Sequence, residues 1–212
     1  SLGERILVLQ AETFERLCLG QLHETIGPRA DEDPIEHYIQ VLADKTGSLI
    51  SAAAQVGVIF SNAPEQYRPA VAEFGEKIGI AFQLIDDVID LAGETDDTGK
   101  TPGTDLRAGV ATLPLLYLRR LAQTDQDADD LLRRIERDVT TVYYGDAASE
   151  SAAEADLTAA IAELRGHAVT QQTLAEAHRW SREAVEALAP LPQGPVKKAL
   201  TRFAETIVER SK

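Results

Sequence analysis

From Ile78 to Leu91 the chain reads IGIAFQLIDDVIDL, a helix-length stretch in which the polar residues are gathered rather than scattered. Successive residues on a helix step by about 100°, so Gln83, Asp86, Asp87 and Asp90 fall within an arc of roughly 100°. Ile78, Ile80, Ala81, Phe82, Leu84, Ile85, Val88, Ile89 and Leu91 fill the other directions. A helix that is apolar almost all round must be covered by other elements. The segment therefore predicts a multi-helix fold around it, with the three carboxylates facing an internal cavity or cleft.

Three carboxylates held close together at low dielectric repel one another, and one takes up a proton unless a cation neutralises them. No Lys or Arg stands on this helix near the stripe, so a bound divalent metal is the expected remedy. All-oxygen ligands without His or Cys suit Mg²⁺, which binds one or two carboxylates together with waters and substrate phosphates. The stretch Glu94 to Asp105 superficially imitates a calcium loop. Aligned on Gly99, however, it ends on Asp105 where that loop needs a bidentate Glu.

The rest of the chain supports helices. Only 5% of the 212 residues are aromatic, and Ala, Leu and Glu run through long periodic segments. These predict an all-α helical bundle in a single domain spanning 1–212. Helices are expected over Arg5 to Leu22, Ile35 to Phe60 with an irregularity at Lys45, Thr46 and Gly47, and about Pro69 to Leu91. Others follow over Leu113 to Leu121 with Thr112 as cap, Asp125 to Arg137, Ser151 to Leu164, His167 to Ala189 and Pro195 to Glu209. Gly75 and Gly79 weaken their helix intrinsically, but their spacing lets another helix approach closely.

A net charge of −14 argues against a nucleic-acid partner or an anionic membrane surface. No apolar run is long enough to span a bilayer and no signal-peptide pattern opens the chain, so stable membrane insertion is not expected and a cytoplasmic location is. Cys18, the single cysteine, lies in an apolar helical run and is expected to be a buried structural thiol. The chain opens at Ser1 inside a helical pattern, as would an internal fragment or a chain that has lost its initiator methionine.

In order along the chain stand GQ at Gly20, KTGSLISAAAQVG from Lys45, FGEKIGIAFQLIDDVIDL from Phe74, GKTPGTDLRAG from Gly99 and TLPLLYL from Thr112. This ordered set resembles the trans-isoprenyl (polyprenyl) diphosphate synthases, whose second aspartate-rich motif is DDxxD preceded by Phe-Gln. The likeness covers nearly the whole chain, including Arg210 near its end. It implies the isoprenoid-synthase helical bundle, N-terminally incomplete, and Mg²⁺-assisted coupling of an allylic diphosphate to isopentenyl diphosphate. It also implies a homodimer, for which the uncharged helix Ser48 to Phe60 offers an apolar surface, or a place as subunit of a heteromeric synthase.

The same resemblance implies roles residue by residue. Asp86, Asp87 and Asp90 hold Mg²⁺, and Lys45 and Lys100 contact the diphosphate. Lys45, Thr46 and Gln83 surround the forming carbocation, and Asp105 orients metal-bound water. Two departures stand out. Val110 occupies the place of a usual lysine, and the first aspartate-rich motif, expected before the GQ segment, is not in this sequence. Hence a truncated and inactive synthase is expected, with a non-catalytic regulatory subunit or, less well supported by KTGSL and TLP, a class I terpene cyclase as alternatives.

Overall fold

A computed structural model describes residues 2–92, 102–144 and 147–210, and every regular element among them is helical. Helix α1 (Leu2–Ile26) ends where Gly27 adopts a positive φ of 76°. Asp33 caps α2 (Pro34–Leu42): its Oδ1 accepts the backbone N–H of Ile35 at 2.7 Å and of Glu36 at 3.3 Å. Pro34 takes the first turn, where its missing N–H is harmless. The irregularity expected at Lys45–Gly47 is a π-helical turn, Ala43–Gly47, which passes without a break into α3 (Ser48–Phe60). A 3₁₀ turn, Glu65–Tyr67, leads into α4 (Arg68–Ala92), which carries the aspartate stripe. After it come α5 (Thr104–Arg107), α6 (Leu113–Leu121), α7 (Gln126–Tyr144), α8 (Ala147–Gly166), α9 (Ala168–Ala187) and α10 (Pro195–Glu209).

These elements gather into two compact units, Ser1–Ile85 with Glu176–Lys212, and Asp86–Ala175. In the first, Val41, Leu42, Phe74, Ile78, Leu84, Leu188 and Ile207 are buried. The two α4 glycines act as expected. A Cβ on Gly75 would lie 2.5 Å from Ser51 Cα, and one on Gly79 would lie 2.6 Å from Gly47 Cα, so bare backbone is what lets α4 press against α3 and the π-turn. In the second unit, Leu106, Leu115, Leu118, Leu131, Ile135, Leu157, Ile161 and Leu164 form one core cluster shared by α5 to α8.

Three readings of the sequence change. Cys18 is exposed rather than a buried thiol. Helix α1 has two apolar rows at helical spacing, Ile6, Leu9, Thr13, Leu17 and Val8, Ala11, Phe14, Cys18; it packs through Leu9 and Gly20 and leaves Val8, Phe14 and Cys18 outside, so the second row is the unpacked one. Helix α7 runs on past Arg137 to Tyr144 because Val139 and Val142 continue the register of Ile135 against the core. The hydroxyls of Thr140 and Thr141 are absorbed by the carbonyls of Glu136 and Arg137 at 2.7 and 2.9 Å. Thr112 stands at the cap position of α6, but its side chain makes no capping bond. Among the described residues, no helix is long and apolar enough to cross a membrane.

Candidate functional site

In the unit beginning at Asp86, the last turns of α4 carry the three aspartates. Asp87 is buried and Asp86 and Asp90 are half-buried, so the stripe is the more open edge of a helix whose own Leu84, Ile85, Val88 and Leu91 are buried. Asp90 is occupied in a way the sequence did not announce. Its Oδ1 accepts the N–H of Thr104 and its Oδ2 the N–H of Asp105, both at 3.1 Å, and its carbonyl accepts the N–H of Gly103 at 2.8 Å. It thereby satisfies the first donors of α5 from fourteen residues upstream. Gly103, at φ 73°, makes the turn and abuts Ile161, where a Cβ would come within 2.6 Å of Cδ1. The far end of α5 is tied by Arg107, which donates from Nε to the carbonyl of Pro102 at 2.8 Å and pairs with Glu154 at 2.5 Å and Thr158 Oγ1 at 3.0 Å. Asp105, half-buried, is thus placed by the same short helix that Asp90 holds.

The donor set suits a hard cation. Among the described residues no three His, Cys, Asp or Glu side chains form a ready-made cage. Mg²⁺ takes only one or two carboxylates and completes its octahedron with water and phosphate, so an open stripe fits it better than a closed site would. Each oxygen of Asp90 has a second lone-pair direction beyond the N–H it accepts, so capping does not exhaust it.

In the first unit, Lys45 and Thr46 lie on the π-turn, both half-buried. Lys45 Nζ donates to Glu24 Oε2 at 2.5 Å, with Lys45 28% exposed and Glu24 41%. Gly20 makes the passage for this lysine: a Cβ there would sit 2.9 Å from Asp44 Cβ and 3.0 Å from Lys45 Cγ. Beside Lys45, buried Asp44 accepts Arg16 Nε at 2.9 Å and Gln40 Nε2 at 2.9 Å, and Ser48 Oγ donates to the Asp44 carbonyl at 2.6 Å. Arg16 also donates from Nη1 to Glu76 of α4 at 2.7 Å. Burial disfavours the Arg16 charge, but Glu76 and Asp44 outweigh it and hold the guanidinium above its ordinary range.

Gln83, half-buried, is one turn before the aspartates on α4; its neighbour Phe82 lies under the guanidinium of Arg210, 4.9 Å from the ring centroid. Val110 is exposed and brings no cation. Lys100 lies outside the described residues. Arg16, Glu24, Asp44 and Glu76 escaped sequence reasoning because their partners are distant in the chain; Gly20 was the one local sign that something passes closely there.

Against this geometry, known proteins compare consistently. A polyprenyl synthetase family profile matches residues 2–145. The nonaprenyl diphosphate synthase of Mycobacterium tuberculosis is 35% identical over 99% of this chain, which spans 58% of that protein. Heptaprenyl diphosphate synthase component 2 of Bacillus subtilis is 27% identical over 94% of the chain and 53% of its own length. A crystal structure of geranylgeranyl pyrophosphate synthase from Corynebacterium glutamicum, complexed with calcium and isoprenyl diphosphate, superposes with a TM-score of 0.76 at 35% identity, covering 99% of this chain and 61% of that one. The chain therefore spans less than two thirds of these relatives. Its fold is the all-α isoprenoid-synthase fold, and with the profile covering more than half of its residues it belongs to the polyprenyl synthetase family.

Proposed function

We propose that this chain carries the second aspartate motif and the catalytic lysine turn of a polyprenyl diphosphate synthase, the prenyltransferase that joins an allylic diphosphate to isopentenyl diphosphate. The observation that carries the reading is a polar edge of Gln83, Asp86, Asp87 and Asp90 on a helix whose Leu84, Ile85, Val88 and Leu91 are buried, in a chain of this family. Asp86, Asp87 and Asp90 would hold Mg²⁺, which when bound neutralises the diphosphate as it leaves. Lys45 leaves Glu24 to donate to a diphosphate oxygen. Thr46 and Gln83 turn their oxygens toward the positive charge that develops on the allylic carbon. Asp105 would accept a hydrogen bond from a water that the metal binds, and the family resemblance gives Lys100, outside the described residues, the role of a further diphosphate contact. The apolar flanks of α4 keep out bulk water, which would otherwise capture the cation.

The chain spans 58% of the nonaprenyl relative, and the reading assigns to it alone metal and diphosphate binding rather than elongation. Titration calorimetry with inorganic diphosphate decides it. Binding should require Mg²⁺ and be weakened at least tenfold by Asp86→Ala; Mg²⁺-independent binding, or binding untouched by that substitution, refutes it. Self-association in the cytoplasm through α3, where Leu49 and Phe60 stand exposed, completes the reading as a homodimer. A second reading, a non-catalytic subunit of a heteromeric synthase, draws on the likeness to a protein named as one component of such an enzyme.

A further inference from the structure

Lys45 does not project from an ordinary helix. It belongs to a five-residue π-helical turn, Ala43–Gly47, set in an otherwise continuous path from Pro34 to Phe60. Single π-turns are rare, and the neighbours of this one are arranged so as to hold it. Two glycines on different helices remove the side chains that would push the turn away. Gly20 of α1 faces Asp44 and Lys45, and Gly79 of α4 faces Gly47 and Thr46. One guanidinium ties the same three elements together. Arg16, one helical turn before Gly20, reaches Asp44 within the turn through Nε at 2.9 Å and Nη2 at 2.8 Å. It also reaches Glu76, one turn before Gly79, through Nη1 at 2.7 Å. Asp44 is 8% exposed, and Gln40 takes its second oxygen, so its carboxylate is matched by donors on both sides.

From this arrangement we infer that Arg16 is a positioning residue: by clamping Asp44 and Glu76 it holds the π-turn and so fixes the direction in which Lys45 and Thr46 are presented to an incoming diphosphate. A π-turn adds one residue to a helical repeat. Relaxing it to α geometry would swing the following side chains by about 100°, the angular step of one residue. The bidentate fork of Arg16 is what a lysine could not copy, since an ammonium is a point charge and the two carboxylates lie on separate elements.

This inference rests on the proposed role of Lys45, and its test keeps the two apart. The crystal structure of Arg16→Ala should show residues 43–47 with α-helical bonding and the Lys45 side chain redirected; a retained π-turn with Lys45 unmoved overturns the inference, whatever the protein binds. In parallel, Lys45 is followed by ¹³C NMR of ε-labelled lysine, assigned with Lys45→Ala, during titration with Mg²⁺ and inorganic diphosphate. The Lys45 signal should respond in the unsubstituted chain and require at least tenfold more diphosphate in Arg16→Ala. Equal affinity in the two also overturns the inference. A Lys45 signal silent in the unsubstituted chain refutes the role of Lys45 instead, and the crystal structure then decides the clamp alone. Should Arg16→Ala not fold, Arg16→Lys is read by both measurements, and it should lose the π-turn while keeping the charge.

Discussion

Gly79→Ala sets two opposing effects against each other at one residue. In a helix interior the change gains about 0.8–1.0 kcal/mol of propensity. Against that, the added Cβ would stand 2.6 Å from Gly47 Cα, 2.8 Å from Gly47 N and 3.1 Å from the Thr46 carbonyl carbon. Carbon pairs prefer about 3.5–4.0 Å, so α4 and the π-turn must part by roughly 1 Å. All three neighbours are backbone, and no rotamer change can absorb the clash. Overpacking costs about 1–3 kcal/mol, occasionally more, and a backbone clash belongs at the upper end of that range. The expected net is a loss of about 2 kcal/mol after the propensity gain is subtracted. Gly57→Ala supplies the comparison: Gly57 is also helical, but a Cβ there meets nothing within 4 Å, so it should gain the propensity term alone. The two variants should thus differ by about 3 kcal/mol. Urea unfolding followed by far-UV circular dichroism measures this, provided the slopes agree. If Gly79→Ala proved as stable as Gly57→Ala, the close approach that shapes the π-turn would be wrong.

Other perturbations test separate parts of the structure. Glu183 accepts from Arg179 and lies 3.3 Å from Lys77; burial pushes its carboxyl up, but the two cations prevail and hold it below the ordinary 4.5. Its contribution is therefore full above pH 4.5 and fades as pH falls through its lowered value. Glu183→Gln should cost about 1 kcal/mol or less at neutral pH, given the partly exposed partners, and nothing once the carboxyl is protonated; a pH-independent difference would contradict the pairing. Asp90→Ala should cost about 1 kcal/mol as a lost cap. It should also speed hydrogen exchange at the Thr104 and Asp105 amides, and unchanged exchange there would show that Asp90 does not hold α5. Cys18, exposed on α1, should react with a thiol reagent in the folded chain about as fast as in denaturant, whereas strong protection would mean that this row of α1 is covered.

Most helices were legible because they are long and periodic, and both ends of α6 and of α10 fall where Pro114, Pro195 and the apolar spacing put them. What the sequence withheld was lateral choice. Helix α1 offers two apolar rows, and only packing selects Leu9 and Gly20 over Phe14 and Cys18. The expected helix stops at Arg137 because Thr140, Thr141, Tyr143 and Tyr144 are weak helix formers, yet Val139 and Val142 gain more by continuing the buried face of α7. The short helix α5 is invisible to periodicity, being one turn long, and it exists because Asp90 and Arg107 hold its two ends.

That last point bears on how the aspartate motif is read. Helical spacing alone places Asp86, Asp87 and Asp90 on one face without telling them apart, and the family resemblance singles out only Asp86, as the principal ligand. The structure separates them, because Asp90 spends one lone pair of each oxygen on the amides that begin α5, while Asp87 is enclosed by the helix packing. A cation held at the stripe, as proposed above, would therefore act on α5 as well. Any pull on Asp90 is transmitted within one hydrogen bond to Thr104 and Asp105, and Asp105 is the residue proposed to orient the metal's water. Motif and short helix are therefore one mechanical unit, a coupling that the spacing of DDVID alone could not reveal.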